Sequence, residues 1–519
     1  MRVAGGGRDH LRLGKDMRTI DVRVYPADRP PPREEQLAWH LALMAAGKWP
    51  EDAAVTEMAA NRIIDNAAVA LCAIDRAPPA AARAQALAHP RADGATVLGL
   101  SRDQRFECGC AAWANAIAVR ELDFHDNFMA AESAHPGDNI SAIIAVAQQC
   151  GRGGRDVIRA IATAYEAQIA LCTGIPLNPH RIDHVGHLGP SIAAGLGALL
   201  NLEPDVIYQA IQHAAHVSTA TRQGRKGVLS SWKAFAPGHV GKCAIEALDR
   251  AMRGETSPSP VYEGDYGILA TLLDGPDALY RVTLPSAGET PRGILATYTK
   301  EHSAGYHGQA IIDLAFRMRL RIEDTNTIER VDIYSKRPTH VVMGSGSGDP
   351  QKYDPAASRE TLDHSAMYIF AVALEDGEWH HERSYAPERR RRPETLALWR
   401  KVTTHEDEEW NRRYYDEPDP LKKDQGARIE ITLAGGEKVV DELSVGNAHP
   451  RGATPFQRPD YISKFDTLTE SIVSRNEAER FLGVVDRLAR LDGDELAGLN
   501  VAADAISLSH AVRNREGIF

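Results

Sequence analysis

The segment DFHDNFMAAESAHPGDN, residues 123–139, concentrates side chains that can move protons. Its titratable residues are Asp123, His125, Asp126, Glu132, His135 and Asp138. Histidine suits general acid or base chemistry because its pKa lies near neutrality, and a neighbouring carboxylate can orient or charge it. The segment is therefore a candidate active-site loop. The alternative is a solvated loop that only caps a helix.

A buried helix is predicted directly after this loop. In ISAIIAVA, the apolar residues Ile140, Ile143 and Ile144 repeat at helical spacing. Asp138 or Asn139 can act as the N-cap, because each side chain can accept a hydrogen bond from a free backbone N–H. The positive end of this helix would then lie beside the titratable loop, where it could hold an anion.

Two further stretches carry candidate ligands. IDHVGHLG places His184 and His187 three residues apart, a spacing that allows metal binding, but no third ligand is close in sequence and we predict no metal site. SSWKAFAPGHVGK places Lys233 among apolar neighbours, before Pro237 and a helix that follows it. A buried lysine could hold a carboxylate, whereas a surface lysine would lie along the apolar surface with its charge in water.

Two more histidine-containing stretches lie in the second half. KEHSAGYHGQA brings His302, Tyr306 and His307 to the start of a helix at a domain junction, a favoured place for small-molecule sites. LDHSAMYIFAVAL sets His364 and Tyr368 four residues apart on an apolar helix, where a tyrosine is usually a core residue. Each stretch has a structural explanation alone, but together they favour an enzyme.

Composition limits the classes of protein to consider. The chain has 519 residues, enough for two to four domains, with 43% hydrophobic and 25% charged residues. The net charge of −11 argues against a nucleic-acid partner. Six scattered cysteines without a CxxC pair predict reduced thiols in a cytoplasmic protein and no iron–sulfur cluster. No apolar run reaches membrane-spanning length, so no membrane partner is predicted.

The pattern along the chain predicts a mainly α fold. Residues 1–30, Gly-rich and charged at the start, are predicted to be a flexible leader. Residues 31–280 and 452–519 show helical periodicity and form one large domain, whereas residues 281–451 form a smaller inserted α+β domain. Within the insert, IERVDIYS predicts a strand, and ARIEITL and EKVVDELSV predict a β-hairpin.

A charged stretch of about 379–423 lies in this smaller domain and contains four consecutive arginines, 389–392. Such a run could contact a phosphate-bearing partner. Because the whole chain is acidic, we instead predict a solvated helix or loop face.

Several long blocks resemble the MmgE/PrpD family over nearly the whole chain. They are LDFHDNFMAAESAHPGDNISAI, IDHVGHLG, SWKAFAPGHVGKCA, YEGDYG, EHSAGYHGQAIID and DHSAMYIFAVALEDGEWHHERSYAPE. The resemblance implies a large all-helical domain, built from both ends of the chain, with an inserted α+β lid. It also implies an active site between the two and a homodimer.

The resemblance carries the family's site onto particular residues. The implied catalytic residues are Asp123, His135, His184, Lys233 and Tyr368. The implied substrate-binding residues are Asn127, His302 and His307, with Asn127 standing where relatives often have threonine. His307 matches the dehydratase branch, and Gly305 stands where the related decarboxylase has a histidine.

The implied activity is dehydration of 2-methylcitrate to 2-methyl-cis-aconitate, in the methylcitrate cycle of propionate catabolism, without an iron–sulfur cluster, metal or other cofactor. Lys233 and a helix N-terminus would bind the carboxylates of this small tricarboxylate. His135 and His184 would divide the acid and base roles, with Asp123 orienting one of them and Tyr368 donating a hydrogen bond or relaying a proton.

Three alternatives stay open. The first is another tricarboxylate enzyme of the same fold, such as a citrate or cis-aconitate hydro-lyase or a cis-aconitate decarboxylase. The second is a binding protein without activity, although none of the five main site residues is missing. The third is a helical scaffold, which would show internal repeats that we do not find.

Overall fold

The computed structural model describes residues 17–225, 230–504 and 517–518, and it is mainly helical with small sheets. In the first part of the chain the helices are α1 (Leu37–Ala46), α2 (Ala53–Cys72), α3 (Ala77–Leu87), α4 (Cys108–Glu121), α5 (Ile140–Gln149), α6 (Gly154–Gly174), α7 (Leu188–Leu200), α8 (Pro204–Ser218), α9 (Trp232–Met252) and α10 (Ile268–Leu272). This succession agrees with the helical periodicity of the sequence.

Small residues let these helices approach closely. A Cβ added at Gly195 of α7 would lie only 2.8 Å from Cβ of Ala164 on α6. Because real Cβ atoms do not come so near, this crossing requires glycine. Helices α6 and α7 therefore pack at short distance.

Short strands accompany the helices. They are β1 (Met17–Arg23), β2 (Pro90–Ala95), β3 (Phe128–Met129), β4 (Ser133–Ala134) and β5 (Leu279–Pro285). Strand β1 pairs antiparallel with β5 from Met17–Pro285 to Arg23–Leu279, and Ile20 and Val22 are buried. The predicted flexible leader, residues 1–30, is therefore wrong for residues 17–23, whose alternating apolar side chains are tied to the core. Residues 1–16 of that leader lie outside the described residues.

The second part of the chain combines a sheet with short helices. Its helices are α11 (Gln309–Arg319), α12 (Arg359–Leu362), α13 (Ala366–Asp376), α14 (Pro387–Arg390), α15 (Pro393–Trp399) and α16 (Glu408–Tyr415), and its strands are β6 (Ile328–Ser335), β7 (Val402–Glu406), β8 (Ala427–Leu433) and β9 (Lys438–Leu443). The strands form one sheet in the order β7-β6-β8-β9. The predicted strand and hairpin are confirmed, and Gly435 and Gly436 turn the hairpin at positive φ.

The chain then returns to helix in α17 (Arg458–Thr469) and α18 (Arg475–Val485). The buried apolar residues fall into two main clusters. We call them the first core, with members from Ile20 to Ala296 and again from Tyr461 to Val501, and the second core, with members from Ala304 to Val439. Residues 281–296 pack with the first core, so the predicted boundary at 281 lies too early. Residues 505–516 and 519 of the predicted 452–519 segment lie outside the described residues.

The four-arginine run is only partly solvated. Arg389 is buried, and its guanidinium pairs with Glu375 at 2.7 Å and Asp376 at 2.9 Å, whereas Arg391 and Arg392 are exposed. The prediction of a solvated face is wrong for Arg389, because α14 turns this side chain back onto the end of α13.

Among the described residues, no helix combines the length and the apolar character needed to cross a membrane. The cysteines form no disulfide, and Cys72, Cys108, Cys110 and Cys172 are buried thiols.

Candidate active site

A cavity of about 520 Å³ opens where the two cores meet. Helix ends and loops of the first core supply one wall, and the segments around residues 300–307 and 342–364 supply the other. Among the described residues its polar lining includes Arg120, Asp123, Asn127, His135, His184, Arg222, Arg225, Lys233, Lys300, His307 and His364. A cavity this large, lined by so many cations and imidazoles, suits a small polyanion.

Asp123 is the centre of charge in this cavity. Its Oδ1 accepts hydrogen bonds from Arg120 at 2.8 Å and from Lys300 at 2.6 Å, and Nζ of Lys233 lies 3.4 Å from Oδ2. Burial alone would raise the pKa of Asp123, but these cations outweigh burial and hold its pKa well below the usual range. Three cations around one carboxylate leave a net positive charge facing the cavity.

Asp123 also has a strained backbone. Its φ of 49° is left-handed, a region that residues other than glycine rarely adopt. The hydrogen bond from Lys300 to the Asp123 carbonyl oxygen, at 2.6 Å, helps to hold this conformation. Strain of this kind is found where a site needs one fixed geometry.

The rest of the titratable loop is buried. Asp126 accepts hydrogen bonds from the Gly137 N–H at 2.8 Å and the Tyr165 hydroxyl at 2.7 Å, and His125 donates to Asp138 at 3.0 Å. Asn139 stands at the N-cap position of α5, as predicted, but its side chain makes no capping hydrogen bond and instead donates to the Pro136 carbonyl oxygen. The other candidate, Asp138, is engaged by His125. The loop is thus a rigid support rather than a solvated cap.

His135 presents one ring nitrogen to the cavity in a defined protonation state. Its Nδ1 lies 2.8 Å from the Asp126 carbonyl oxygen, which can only accept, so Nδ1 carries the proton. Nε2 therefore holds a lone pair, 3.6 Å from Oδ1 of Asp123. Burial and the Arg120 charge lower the pKa of His135 well below its usual value, which keeps the ring neutral.

The two histidines of IDHVGHLG diverge. His184 lines the cavity with its ring 5.7 Å from that of His135, and burial lowers its pKa to about 3. His187 points away and donates from Nε2 to the Ile175 carbonyl oxygen at 2.7 Å. The structure therefore does not bring these two rings together as a ligand pair.

Lys233 reaches the cavity from the first turn of α9. This helix begins at Trp232, before Pro237, so the prediction of a helix start after the proline is wrong. Pro237 has no N–H to donate to the Lys233 carbonyl oxygen, and Arg225 donates to that oxygen instead, at 3.2 Å. Arg225 also pairs with Asp183 at 2.9 Å, which joins the start of α9 to the His184 segment.

Four buried polar atoms of the lining have no hydrogen-bond partner in the described part of the chain: Nε of Arg120, Nδ2 of Asn127, Nδ1 of His184 and Nδ1 of His307. The peptide of Asn127 is fixed by Tyr298, with its N–H donating at 2.8 Å. A buried polar atom without a hydrogen-bond partner costs free energy. A ligand oxygen that forms a hydrogen bond with such an atom would remove that cost, so these atoms mark favourable ligand contacts.

Two predicted site residues do not reach the cavity. Tyr368 is fully buried in the second core, where its hydroxyl donates to the Ser384 carbonyl oxygen and its ring packs on Trp399. Its place in α13 turns it inward, so the structure does not support a contact of Tyr368 with a ligand in the cavity.

His302 is the second of these. Gln309 holds both the N–H and the carbonyl oxygen of His302, at 3.0 and 2.9 Å, and turns its ring toward α11. There Nε2 donates to Asp313 at 2.9 Å, and this contact raises the pKa of His302 despite burial. With Glu301 the two residues form a group whose ligand atoms lie within 4.8 Å of one another, away from the cavity.

Sequence reasoning gave no site role to Arg120, Lys300 or His364. Arg120 carried no local signal, because its stretch is typical of an ordinary helix end. Lys300 opens the KEHSAGYHGQA stretch, but only the histidines and the tyrosine of that stretch were considered. His364 also carried a signal, since it shares the DHSAMY motif with Tyr368. Helix α13 begins only at Ala366, capped by Ser365, so His364 lies on the preceding turn and faces the cavity.

Comparison with known proteins gives a consistent result. The MmgE/PrpD N-terminal domain model matches residues 35–280, and the MmgE/PrpD C-terminal domain model matches residues 302–490. The chain is 25% identical over 407 residues to the mitochondrial 2-methylcitrate dehydratase of Yarrowia lipolytica, covering 74% of this chain and 75% of that protein. It is 25% identical over 408 residues to the 2-methylcitrate dehydratase of Salmonella typhi (74% and 79%), and 26% identical over 351 residues to that of Cupriavidus necator (64% and 69%).

Proposed function

The chain belongs to the MmgE/PrpD family, and from this we propose that it is a hydro-lyase that dehydrates 2-methylcitrate to 2-methyl-cis-aconitate. The names of its relatives support the reaction class. The observation that carries the proposal is the cluster in which Arg120, Lys233 and Lys300 surround Asp123 beside neutral His135. It supplies both a place for carboxylates and a base.

The cations would bind the substrate carboxylates. Removing a proton next to a carboxylate builds negative charge there, and fixed positive groups stabilise that charge. Lys233 and Lys300 are held in place by Asp123, so little reorganisation is needed when the substrate arrives. The unpaired atoms of Asn127 and His184 would hydrogen-bond substrate oxygens.

His135 would act as the base. The Asp126 carbonyl oxygen fixes the proton on Nδ1, which leaves the Nε2 lone pair facing the cavity. Asp123, 3.6 Å away, would stabilise the imidazolium that forms when the proton arrives. This refines the sequence-based division between His135 and His184, in which either could be the base.

The arrangement of the two cores supports a lid role for the second core. We propose that the helical domain, built from both ends of the chain, carries the base and most carboxylate-binding residues, and that the inserted α+β part closes over them. Closure would exclude water and strengthen the electrostatic interactions inside.

We further propose that the enzyme is independent of iron–sulfur clusters, because none of the six cysteines lines the described cavity. A cytoplasmic homodimer acting in the methylcitrate cycle of propionate catabolism would fit the family.

A related tricarboxylate enzyme is the second candidate. Citrate or cis-aconitate carries the same carboxylates, and the cations around Asp123 do not discriminate between them. Gly305, which stands where the decarboxylase of this family has a histidine, favours dehydration over decarboxylation.

The test supplies EDTA-treated protein with 2-methylcitrate, citrate and cis-aconitate in parallel. Growth of absorbance at the enoate band with 2-methylcitrate, and little with citrate, is the expected result. Carbon dioxide release from cis-aconitate without dehydration of either hydroxy acid would overturn the proposal and favour the decarboxylase alternative.

A further inference from the structure

A histidine–carboxylate pair of the second core faces the cavity opposite His135. Nδ1 of His364 donates a hydrogen bond to Oδ1 of Asp363, and Nε2 of His364 lies 3.8 Å from Oδ2 of Asp123. The side chain of His364 is 25% exposed and lines the cavity. His364 and His135 therefore flank the two oxygens of the same carboxylate, one from each core.

Asp363 is itself fixed on several sides. Its Oδ2 lies 3.3 Å from Arg359, its Oδ1 lies 3.9 Å from Lys233, and its carbonyl oxygen accepts the Gly305 N–H at 2.8 Å. Its side chain is only 2% exposed. A buried, fixed carboxylate of this kind holds an imidazole in one tautomer and stabilises its protonated form.

Because Gly305 has no side chain, the ring of His364 can lie directly against the backbone at this position. A Cβ added at Gly305 would lie 3.1 Å from Nε2 of His364 and 3.0 Å from Sδ of Met343. The φ of Gly305 is −51°, which any residue can adopt, so the constraint is steric and comes from both the His364 ring and the Met343 sulfur.

We propose that His364, oriented by Asp363, is the general acid that protonates the departing hydroxyl. This inference rests on the proposed hydro-lyase function and adds a catalytic residue to it. The C–H bond breaks as its proton passes to Nε2 of His135, and a carbon–carbon double bond forms. The carbon–oxygen bond to the tertiary hydroxyl breaks, and the proton on Nε2 of His364 passes to that oxygen, which leaves as water.

The other histidines of the lining fit this role less well. Within the described ranges of the chain, His307 has no carboxylate partner and its Nδ1 is unpaired. His184 lies 3.9 Å from Asp183, which already pairs with Arg225. Among the lining histidines that the structure describes, His364 alone makes a hydrogen bond with a carboxylate.

This step needs a protonated His364 ring, and substrate binding favours that charge state. Burial and the Lys233 charge lower the pKa of His364 in the unliganded protein, although Asp363 opposes them. A bound tricarboxylate places negative charge beside the ring and favours its protonated form. The acid would then be charged only when substrate is present.

The experiment compares two leaving groups. One substrate is 2-methylcitrate, and the other is its analogue with chloride in place of the tertiary hydroxyl, because chloride departs without a proton. The variants are His364→Gln, Asp363→Asn, Gly305→Ala and His135→Ala. The matched control is His405→Gln. It removes a histidine of strand β7 that pairs with Asp332 at 2.9 Å and lies outside the cavity lining.

We expect His364→Gln to lose at least about a hundredfold in kcat on 2-methylcitrate but less than about tenfold on the chloride analogue. Asp363→Asn and Gly305→Ala should show the same split to a smaller extent. His135→Ala should lose activity on both substrates, and His405→Gln on neither.

Two other outcomes would exclude the proposed role of His364. Activity of His364→Gln within about threefold of the wild type on 2-methylcitrate would exclude His364 as the acid, and so would equal losses on both substrates. If the wild-type protein does not dehydrate 2-methylcitrate, the proposed function itself fails, and this inference fails with it.

Discussion

At the scale of single residues, Asp123 holds the cations of the cavity together. The carboxylate is fully committed to Arg120, Lys300 and Lys233, so it cannot take up a proton in the working pH range. It can therefore position cations and stabilise an imidazolium. The proposed acid and base are for this reason the imidazoles of His364 and His135.

The first prediction concerns His135. His135→Ala should lower kcat for dehydration of 2-methylcitrate by at least about a hundredfold, because Nε2 of His135 is the proposed base. The thermal midpoint should fall only slightly, because the substitution removes one hydrogen bond, from Nδ1 of His135 to the Asp126 carbonyl oxygen. Full activity in a folded His135→Ala protein would remove His135 from the mechanism.

The second prediction separates Tyr368 from catalysis. Tyr368→Phe should keep kcat within about threefold of the wild type, since the hydroxyl binds the Ser384 carbonyl oxygen inside the second core. It should lower the free energy of unfolding by about 1 kcal/mol, measured by urea denaturation, because that oxygen loses a donor. A hundredfold loss of kcat with unchanged stability would show that Tyr368 reaches the substrate.

Sequence and structure disagree about Tyr368 and His364 for a physical reason. The DHSAMY motif contains a residue that lines the cavity, but the motif alone does not give the residue at which the helix begins. With α13 starting at Ala366, Tyr368 turns into the core and His364 faces the cavity. Arg120 and Lys300 could not be found, because only the fold brings residues 120, 123 and 300 together.

At the scale of elements, the sequence predicted most of what the structure contains. The strand pattern identified β6 and the β8–β9 hairpin, and helical spacing identified α5. The errors lie at element starts and in long-range pairing. Strand β1 was missed because its partner, β5, lies more than 250 residues away, and α9 was started too late because a proline inside a helix is uncommon.

The third prediction concerns the end of α13 and the arginine run. Arg389→Met should lower the free energy of unfolding by about 3 kcal/mol, because it leaves Glu375 and Asp376 without their buried cation. Arg392→Gln is the matched control, and its exposed side chain should change stability by less than about 0.5 kcal/mol. Equal effects in the two variants, measured by urea denaturation, would contradict the structural assignment of Arg389.

At the scale of the whole molecule, two cores meet at one charged cavity. The first core is closed by the returning helices α17 and α18, and Lys464 of α17 pairs with Asp65 of α2 at 2.7 Å. Helical periodicity at both ends of the sequence indicated this closure. The cavity could not be derived in the same way, because its shape depends on how the two cores pack.

The fourth prediction concerns stability and pH. Burial lowers the pKa of His187 to about 4, against about 6.5 in an unfolded chain. Between these values the unfolded chain binds a proton at this position that the folded protein does not, so stability falls as pH falls. From pH 7 to 5 this residue alone should reduce the free energy of unfolding by about 2 kcal/mol.

The check on this prediction is urea denaturation at pH 7, 6 and 5. His187→Gln can still donate to the Ile175 carbonyl oxygen but does not titrate, so its loss of stability over this range should be smaller than that of the wild type by about 2 kcal/mol. Identical pH dependence in the two proteins would show that His187 is not buried as described.

We propose that the cavity between the two cores removes water from a tricarboxylate without help from a metal. Proton NMR of 2-methylcitrate incubated with EDTA-treated protein should then show one molecule of 2-methyl-cis-aconitate for each molecule of 2-methylcitrate consumed. An unchanged 2-methylcitrate spectrum, from folded protein at catalytic concentration, would contradict it.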